Sequence, residues 1–330
     1  LELARVHAED QRDRDAEALF TAIAGGINAD DPATAGVRGR VDAYLAALKA
    51  RKRWKGALAA GPAWSDNINR SSASRTCLFG VRDTCIIQRN LPDAQRAMGL
   101  DYDGNLERRW ALAGHHGVYV RALAFGQAWR GHSAYNELNA SVQAGYSWRS
   151  ARHTLQIAPS YDYQGLGNRA LQGGSGLHGE WQYALDARSL LRLEADWKRQ
   201  RYRQRGLASN YDGELAAVYA TWFRALNPRW TLFAGLDLSD SRAANPANGY
   251  RQRGLRLGAA RQWTGTTATV FVSLRERDYE AWSPLLEARR EDSEQNLIAV
   301  VRSEHLAVAG LVPSLSLRYA RIDSNVGWLY

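Results

Sequence analysis

The chain holds one methionine, two cysteines and six phenylalanines in 330 residues. It contains no run of 18 apolar residues, and its mean hydropathy is −0.45. A bilayer-crossing helix needs about 20 mostly apolar residues, so a helical membrane protein is excluded. A membrane β-barrel is not, because half of each spanning strand faces an aqueous lumen. Ordinary soluble cores use more Phe and Met than this. Two cysteines cannot make a disulfide-dense scaffold, and a zinc site lacks further ligands nearby. Cys77 and Cys85 lie close together in a polar stretch between predicted strands. In an oxidising compartment they would close a small loop; in a reducing cytosol they would be two free thiols. The chain starts at Leu1, with neither initiator Met nor signal peptide, which is expected of a processed or trimmed chain.

What is abundant points elsewhere. There are 12 Trp and 15 Tyr, side chains with an apolar body and a polar tip that suit a bilayer interface. Net charge is +9. No nucleic-acid motif accompanies it, so no nucleic-acid partner is expected; the charge suits a solvated Arg-rich surface or anionic lipid head groups.

Residues 1–53 read as helical. "LELARVHAEDQRDRDAEALFTAIAGG" places Leu1, Leu3, Ala4 and Val6, then Ala16, Leu19, Phe20 and Ile23, at helical spacing before Gly25-Gly26. A second helix is predicted from Asp31-Pro32, carrying Val37, Val41, Tyr44, Leu45 and Leu48. The pair looks like the tail of a tetratricopeptide-type array, a short remnant expected on the periplasmic side.

From Trp54 to the end, residues 54–330, the period is two. In "NELNASVQAGYSWRSARHTLQIAPSYDYQ" (136–164), Leu138, Ala140, Val142, Ala144, Tyr146 and Trp148 alternate with polar residues, as do Leu155, Ile157, Pro159, Tyr161 and Tyr163. Pro159 lacks the amide that an internal strand donates, so it must sit at a bulge or a locally broken ladder. Thirteen strands are predicted near 55–67, 95–108, 117–130, 136–149, 152–164, 175–185, 189–202, 209–224, 229–239, 250–263, 266–279, 291–303 and 313–324. Many run to 11–15 residues, longer than most globular strands and long enough to cross a bilayer at a tilt. Short connections ("RSAR", "DARS", "ALNPR", "TGT") alternate with longer polar ones at 68–94, 165–174, 203–208, 240–249 and 280–290. Outer-membrane barrels have short periplasmic turns and longer outer loops. Trp148, Trp181, Trp222, Trp230 and Trp263 gather near the short turns, as an interfacial girdle would. The other face offers Asp101, Asp103, Glu137, Glu180, Arg192, Glu194, Asp196 and Lys198 as a luminal polar row, read as a charge network or as a lining for cargo. The fold expected is mainly β, an antiparallel transmembrane barrel preceded by a short α-helical hairpin region. An odd count leaves an unpaired edge that lipid does not tolerate, so about fourteen strands are expected when complete, the last one missing here or only begun at Trp328-Leu329-Tyr330.

At this point the residues resemble a family. "RKRWKGALAAGPAWSDNIN" (51–69), "YNELNASVQAGYSW" (135–148), "YRQRGLRLGAARQW" (250–263), "SLRERDY" (273–279) and "RIDSN" (321–325) look like the barrel of the surface lipoprotein assembly modifier (Slam) family. The likeness spans most of residues 40–325. It departs where Ser65-Asp66 stands for two acidic residues before "NIN", and in the final strand closing on an aromatic residue. The resemblance implies a periplasmic tetratricopeptide region and an outer-membrane barrel that moves lipoproteins, such as iron- or haem-capturing ones, to the cell surface.

Enzyme signals are poor. Seven histidines are scattered at 7, 115, 116, 132, 153, 178 and 305. A barrel hydrolase would need a Ser–His pair on the lipid side near the outer rim, whereas His153 sits at a turn and His178 on the polar face. No catalysis and no cofactor is expected. The expected partners are lipoprotein cargo, outer-membrane lipids and lipopolysaccharide, the last through "KRQRYRQR" (198–205), with a periplasmic chaperone or the barrel-assembly machinery. The alternative function is a passive channel, either a porin or a polysaccharide exporter; an exporter should show aromatic rows along the lumen, and the polar-face rows read here contain few.

Overall fold

Every residue of the computed structural model is described except 29–33, 73–75, 82–83, 90–91, 328 and 330, and for 76–81 and 87–89 the backbone alone. Three helices come first: α1 (Glu2–Glu9), α2 (Asp13–Gly26) and α3 (Ala35–Arg51). Ala4, Ala8, Ala16, Phe20, Val41 and Leu48 form their core, with Phe20 stacked on Tyr44 at 4.8 Å between centroids. The sequence pattern suggested one helix up to Gly26. The polar run after Val6 conceals a break, where Gln11 takes a left-handed φ of 62° and ends the first helix. The expected cap at Asp31-Pro32 lies outside the described residues.

The strands are β1 (Lys55–Ser65), β2 (Thr76–Val81), β3 (Thr84–Arg89), β4 (Ala97–Ala111), β5 (His116–Trp129), β6 (Glu137–Arg149), β7 (His153–Leu166), β8 (Arg169–Asp186) and β9 (Ser189–Tyr202). After a short helix α4 (Arg205–Tyr211) come β10 (Gly213–Asn227), β11 (Trp230–Ala243), β12 (Tyr250–Trp263), β13 (Thr266–Ser283), β14 (Ala288–Ser303) and β15 (Ser314–Ser324). All but β2 and β3 join one antiparallel sheet in which each strand pairs with its neighbours in sequence, from β1 next to β4 onward to β15. All thirteen strands predicted from the alternation are present.

The long connections differ from expectation. The 68–94 segment carries the β2–β3 hairpin. The 165–174 segment is mostly strand, reversed by a two-residue turn at Gly167-Asn168, both with φ near +60°. Likewise β13 and β14 extend to Ser283 and from Ala288. These extensions project beyond the apolar band. Water reaches both of their faces there, the alternation vanishes, and the sequence reads as loop.

Pro159 occupies an interrupted ladder. Between β6 and β7 the pairs run to Gln143↔Ser160 and resume at Tyr146↔Ile157 in the same register. On the other side Pro159 stays aligned with Leu177. Gly145 faces the gap, and a Cβ there would lie 2.6 Å from the Ala158 Cα, so only glycine lets the backbones approach.

The outer face exposes a continuous belt of apolar side chains, among them Leu106, Val142, Ile157, Leu177, Val218, Leu236, Leu257 and Leu274. Water does not favour so large an apolar surface; hydrocarbon does. The sheet curls until Arg318 on β15 reaches Asp101 on β4 at 2.8 Å. With thirteen strands, β1 and β15 run in the same direction, and among the described residues they share no ladder.

Candidate functional site

The inner face is built by the register. Opposed residues on antiparallel neighbours point to the same side. The pairings Gln156↔Glu180, Glu180↔Glu194, Glu194↔Tyr219 and Tyr219↔Asp237 therefore carry one face across five strands. On β8 and β9 the even-numbered residues His178, Glu180, Arg192, Glu194, Asp196 and Lys198 fall on it.

A chain of ion pairs runs along this wall. Lys198 lies 2.7 Å from Asp162 and 3.7 Å from Asp196, and Asp196 meets His178 Nδ1 at 3.0 Å. Glu180, only 1% exposed, takes Arg121 at 3.1 Å and Arg192 at 3.0 Å on the same oxygen. Arg121 also donates to Glu107 at 3.0 Å and to Gln156 at 2.9 Å, and Arg149 approaches Glu107 at 3.5 Å. Deeply buried charges persist only when paired and hydrogen-bonded, and this network meets that condition at Glu180.

The wall continues into the helices. Arg109, near the end of β4, donates to the Ser147 hydroxyl and the His115 carbonyl, and its guanidinium lies 3.8 Å from Asp13 of α2. Asp13 also binds Arg51 of α3 at 2.6 Å. Asp10 approaches His115 at 3.4 Å and accepts from the Ala151 amide at 3.2 Å. The helices thus dock at the end of the barrel that carries the short 112–115 and 150–152 connections, directly below the charge chain.

A second cluster stands on the opposite strands. Asp237 pairs with Arg256 at 2.6 Å and Arg275 at 4.0 Å, and Arg275 reaches Glu294 at 3.4 Å. Beside it lies an apolar strip, because Phe223, Phe233 and Phe271 share the inner face and pack at about 6 Å between centroids. Phe125 also faces inward, opposite Asp103, and is 56% exposed. The polar-face rows therefore contain more aromatics than the sequence reading found. Among the described side chains, four phenylalanines point inward.

The remaining residues singled out in the sequence fall as follows. Asp101 takes Arg318 across the seam and Gln127 from the adjacent strand β5. Asp103 is inner-facing and exposed. Glu137 sits at the long-connection end, held by Arg70 at 2.7 Å. Trp148, Trp181, Trp222, Trp230 and Trp263 stand on the outer face towards the short connections. Arg261 covers Trp230 and Trp263 at 5.1 and 4.6 Å. Cys77 and Cys85 occupy the β2–β3 hairpin, and the Cys77 side chain lies outside the described residues. Sequence reading missed Arg121, Glu107, Arg109, Arg149, Gln156 and Asp13, and it placed His178 on the polar face without seeing its carboxylate partners. One signal was available for Arg121: a lone Arg inside the apolar run "VYVRALAF" must meet a carboxylate.

Comparison with known proteins follows the same outline. Residues 54–330 match the sequence profile of the family described as Surface lipoprotein assembly modifier. The chain is 36% identical over 342 residues to the Hemophilin secretion modulator of Acinetobacter baumannii, an alignment covering 100% of this chain and 68% of that protein. It is 26% identical to Surface lipoprotein assembly modifier 2 of Neisseria meningitidis serogroup B, covering 99% and 68%. Surface lipoprotein assembly modifier 1 of Haemophilus influenzae is 23% identical, covering 86% and 59%.

Proposed function

This chain belongs to the surface lipoprotein assembly modifier family, and from that premise we propose that it delivers lipoproteins to the outer face of a Gram-negative outer membrane. The observation that carries the reading is the family match along the whole strand region, residues 54–330. The cargo class is a haem- or iron-capturing lipoprotein, in keeping with the hemophilin named in the Acinetobacter baumannii relative.

In this reading α1–α3 stand in the periplasm. Their docking at the short-connection end supports that orientation, since short turns face the periplasm in such barrels. There they meet cargo, a chaperone or the barrel-assembly machinery. The five tryptophans form the lower interfacial girdle. Arg199 and Arg201, exposed beyond Trp197 on β9, meet lipopolysaccharide phosphates at the other end. The inner face pairs a charged wall with the Phe223–Phe233–Phe271 strip, a combination suited to a cargo that is both polypeptide and acylated. Cys77 and Cys85, on neighbouring strands of one hairpin, close a staple in the oxidising periplasmic and surface environment.

The test is deletion and complementation. Removal of the gene should abolish surface display of a co-encoded lipoprotein, read by protease shaving of whole cells, and a plasmid copy should restore it. Undiminished display in the deletion strain would refute the proposal. Steady conductance of the purified barrel in planar bilayers would instead favour a passive channel.

A further inference from the structure

We propose that His178, Glu180 and Glu194 form a binding site for one divalent transition-metal ion of the zinc type on the inner wall. The inference stands apart from lipoprotein delivery and does not rest on it.

The backbone brings the three ligands together. His178 and Glu180 are two residues apart on β8 and so share a face, and Glu194 is directly opposite Glu180 on β9. One ligand atom from each lies within 4.8 Å of the others. The donor set, one imidazole nitrogen and two carboxylate oxygens, suits zinc better than calcium or magnesium, which prefer oxygen alone.

The second observation is the state of His178. Its side chain is 5% exposed. Nδ1 is 3.0 Å from Asp196, which orients the ring so that Nε2 is the nitrogen a metal ion would take, in exchange for any proton it carries. Nε2 makes no hydrogen bond and points at Glu180 from 3.9 Å, beyond hydrogen-bond reach. A buried ring nitrogen that faces a carboxylate without a hydrogen bond to it, with a second carboxylate on the other nitrogen, is an arrangement that suits a metal-ligating histidine.

Arg192 now holds the place of the cation. It bridges Glu180 at 3.0 Å and Glu194 at 2.8 Å, and it is 32% exposed, with room to swing into the lumen. Its departure frees one net negative charge at the site. Glu180 keeps Arg121 and accepts from Gln182 at 2.5 Å, which fix the carboxylate from behind. Three protein ligands leave a fourth position towards the lumen for water.

The test uses the full chain, purified without a histidine tag, stripped with chelator and titrated with Zn²⁺ by calorimetry and with Co²⁺ by its visible absorption. One ion per chain is expected. His178→Gln and Glu194→Gln should each weaken binding on the order of tenfold or more, and Asp196→Asn on the order of tenfold to a hundredfold through the tautomer of His178. Arg192→Gln should tighten binding, since it removes the competing cation; a merely structural network predicts no such gain. The heat-dependent gel shift of a folded barrel checks each variant. Absence of saturable Zn²⁺ binding by the wild-type chain, or unchanged affinity in folded His178→Gln and Glu194→Gln, would overturn the proposal.

Discussion

At the scale of single residues, the charged inner wall has one pivot. Arg121 serves Glu180, Glu107 and Gln156 at once, and Glu180 is nearly sealed from water. Arg121→Met leaves that carboxylate with Arg192 as its remaining arginine, and breaking a buried pair in this way costs about 3 kcal/mol. The midpoint of urea unfolding in detergent, followed by the gel shift, should fall accordingly. Glu180→Gln should cost less, because it removes the charge that most needs compensation. The double variant should be less damaging than the sum of the two, and strict additivity would show that the pair is not coupled. The sequence showed that Glu180, Arg192, Glu194, Asp196 and Lys198 share a face, since alternation alone decides that. It did not show their partners. Arg121 and Glu107 come from strands 59 and 73 residues earlier in the chain than Glu180, and that pairing depends on register across several strands. The run around Arg121 also has Leu123 and Phe125 on its inner side, so its two faces look alike in hydropathy.

At the scale of elements, alternation located all thirteen sheet strands, and Pro159 marked the one interrupted ladder in its hairpin. What was hidden is what water touches on both sides: the overhanging ends of β7, β8, β13 and β14, and the break between α1 and α2. Gly145 belongs to the legible part once its neighbour is known. Gly145→Val would drive a side chain into the Ala158 backbone, and barrel yield in outer-membrane fractions should drop severalfold, while Gly61→Ala, in open space on β1, should be tolerated. The helices attach through few groups. Replacing Asp10 and Asp13 with asparagine removes the charge opposite Arg109 and His115. Trypsin cleavage at Arg51–Arg53 should then accelerate about tenfold, equivalent to ~1.4 kcal/mol of docking. Unchanged cleavage would mean that the helices are held by other contacts.

At the scale of the whole molecule, the apolar belt sets where the bilayer sits. Leu236 is exposed in mid-strand on the outer face, and Leu236→Arg should cost ~2–4 kcal/mol in membrane stability, read as a loss of folded barrel in vesicles. Ser239→Arg, three residues along the same strand and on the inner face, should be accommodated. The ring itself carries a gauge of its own circumference. Arg318 and Asp101 meet at 2.8 Å although they belong to the last strand and the second. A strand laid between β15 and β1 would be antiparallel to both and would lengthen the perimeter by about 5 Å. No arginine already in contact can stretch its hydrogen bond by that amount, so the widened ring must release Asp101 to Gln127 and turn Arg318 loose into the lumen. One added strand thus takes the positive charge of Arg318 away from Asp101, and the closure of the ring is reported by one ion pair.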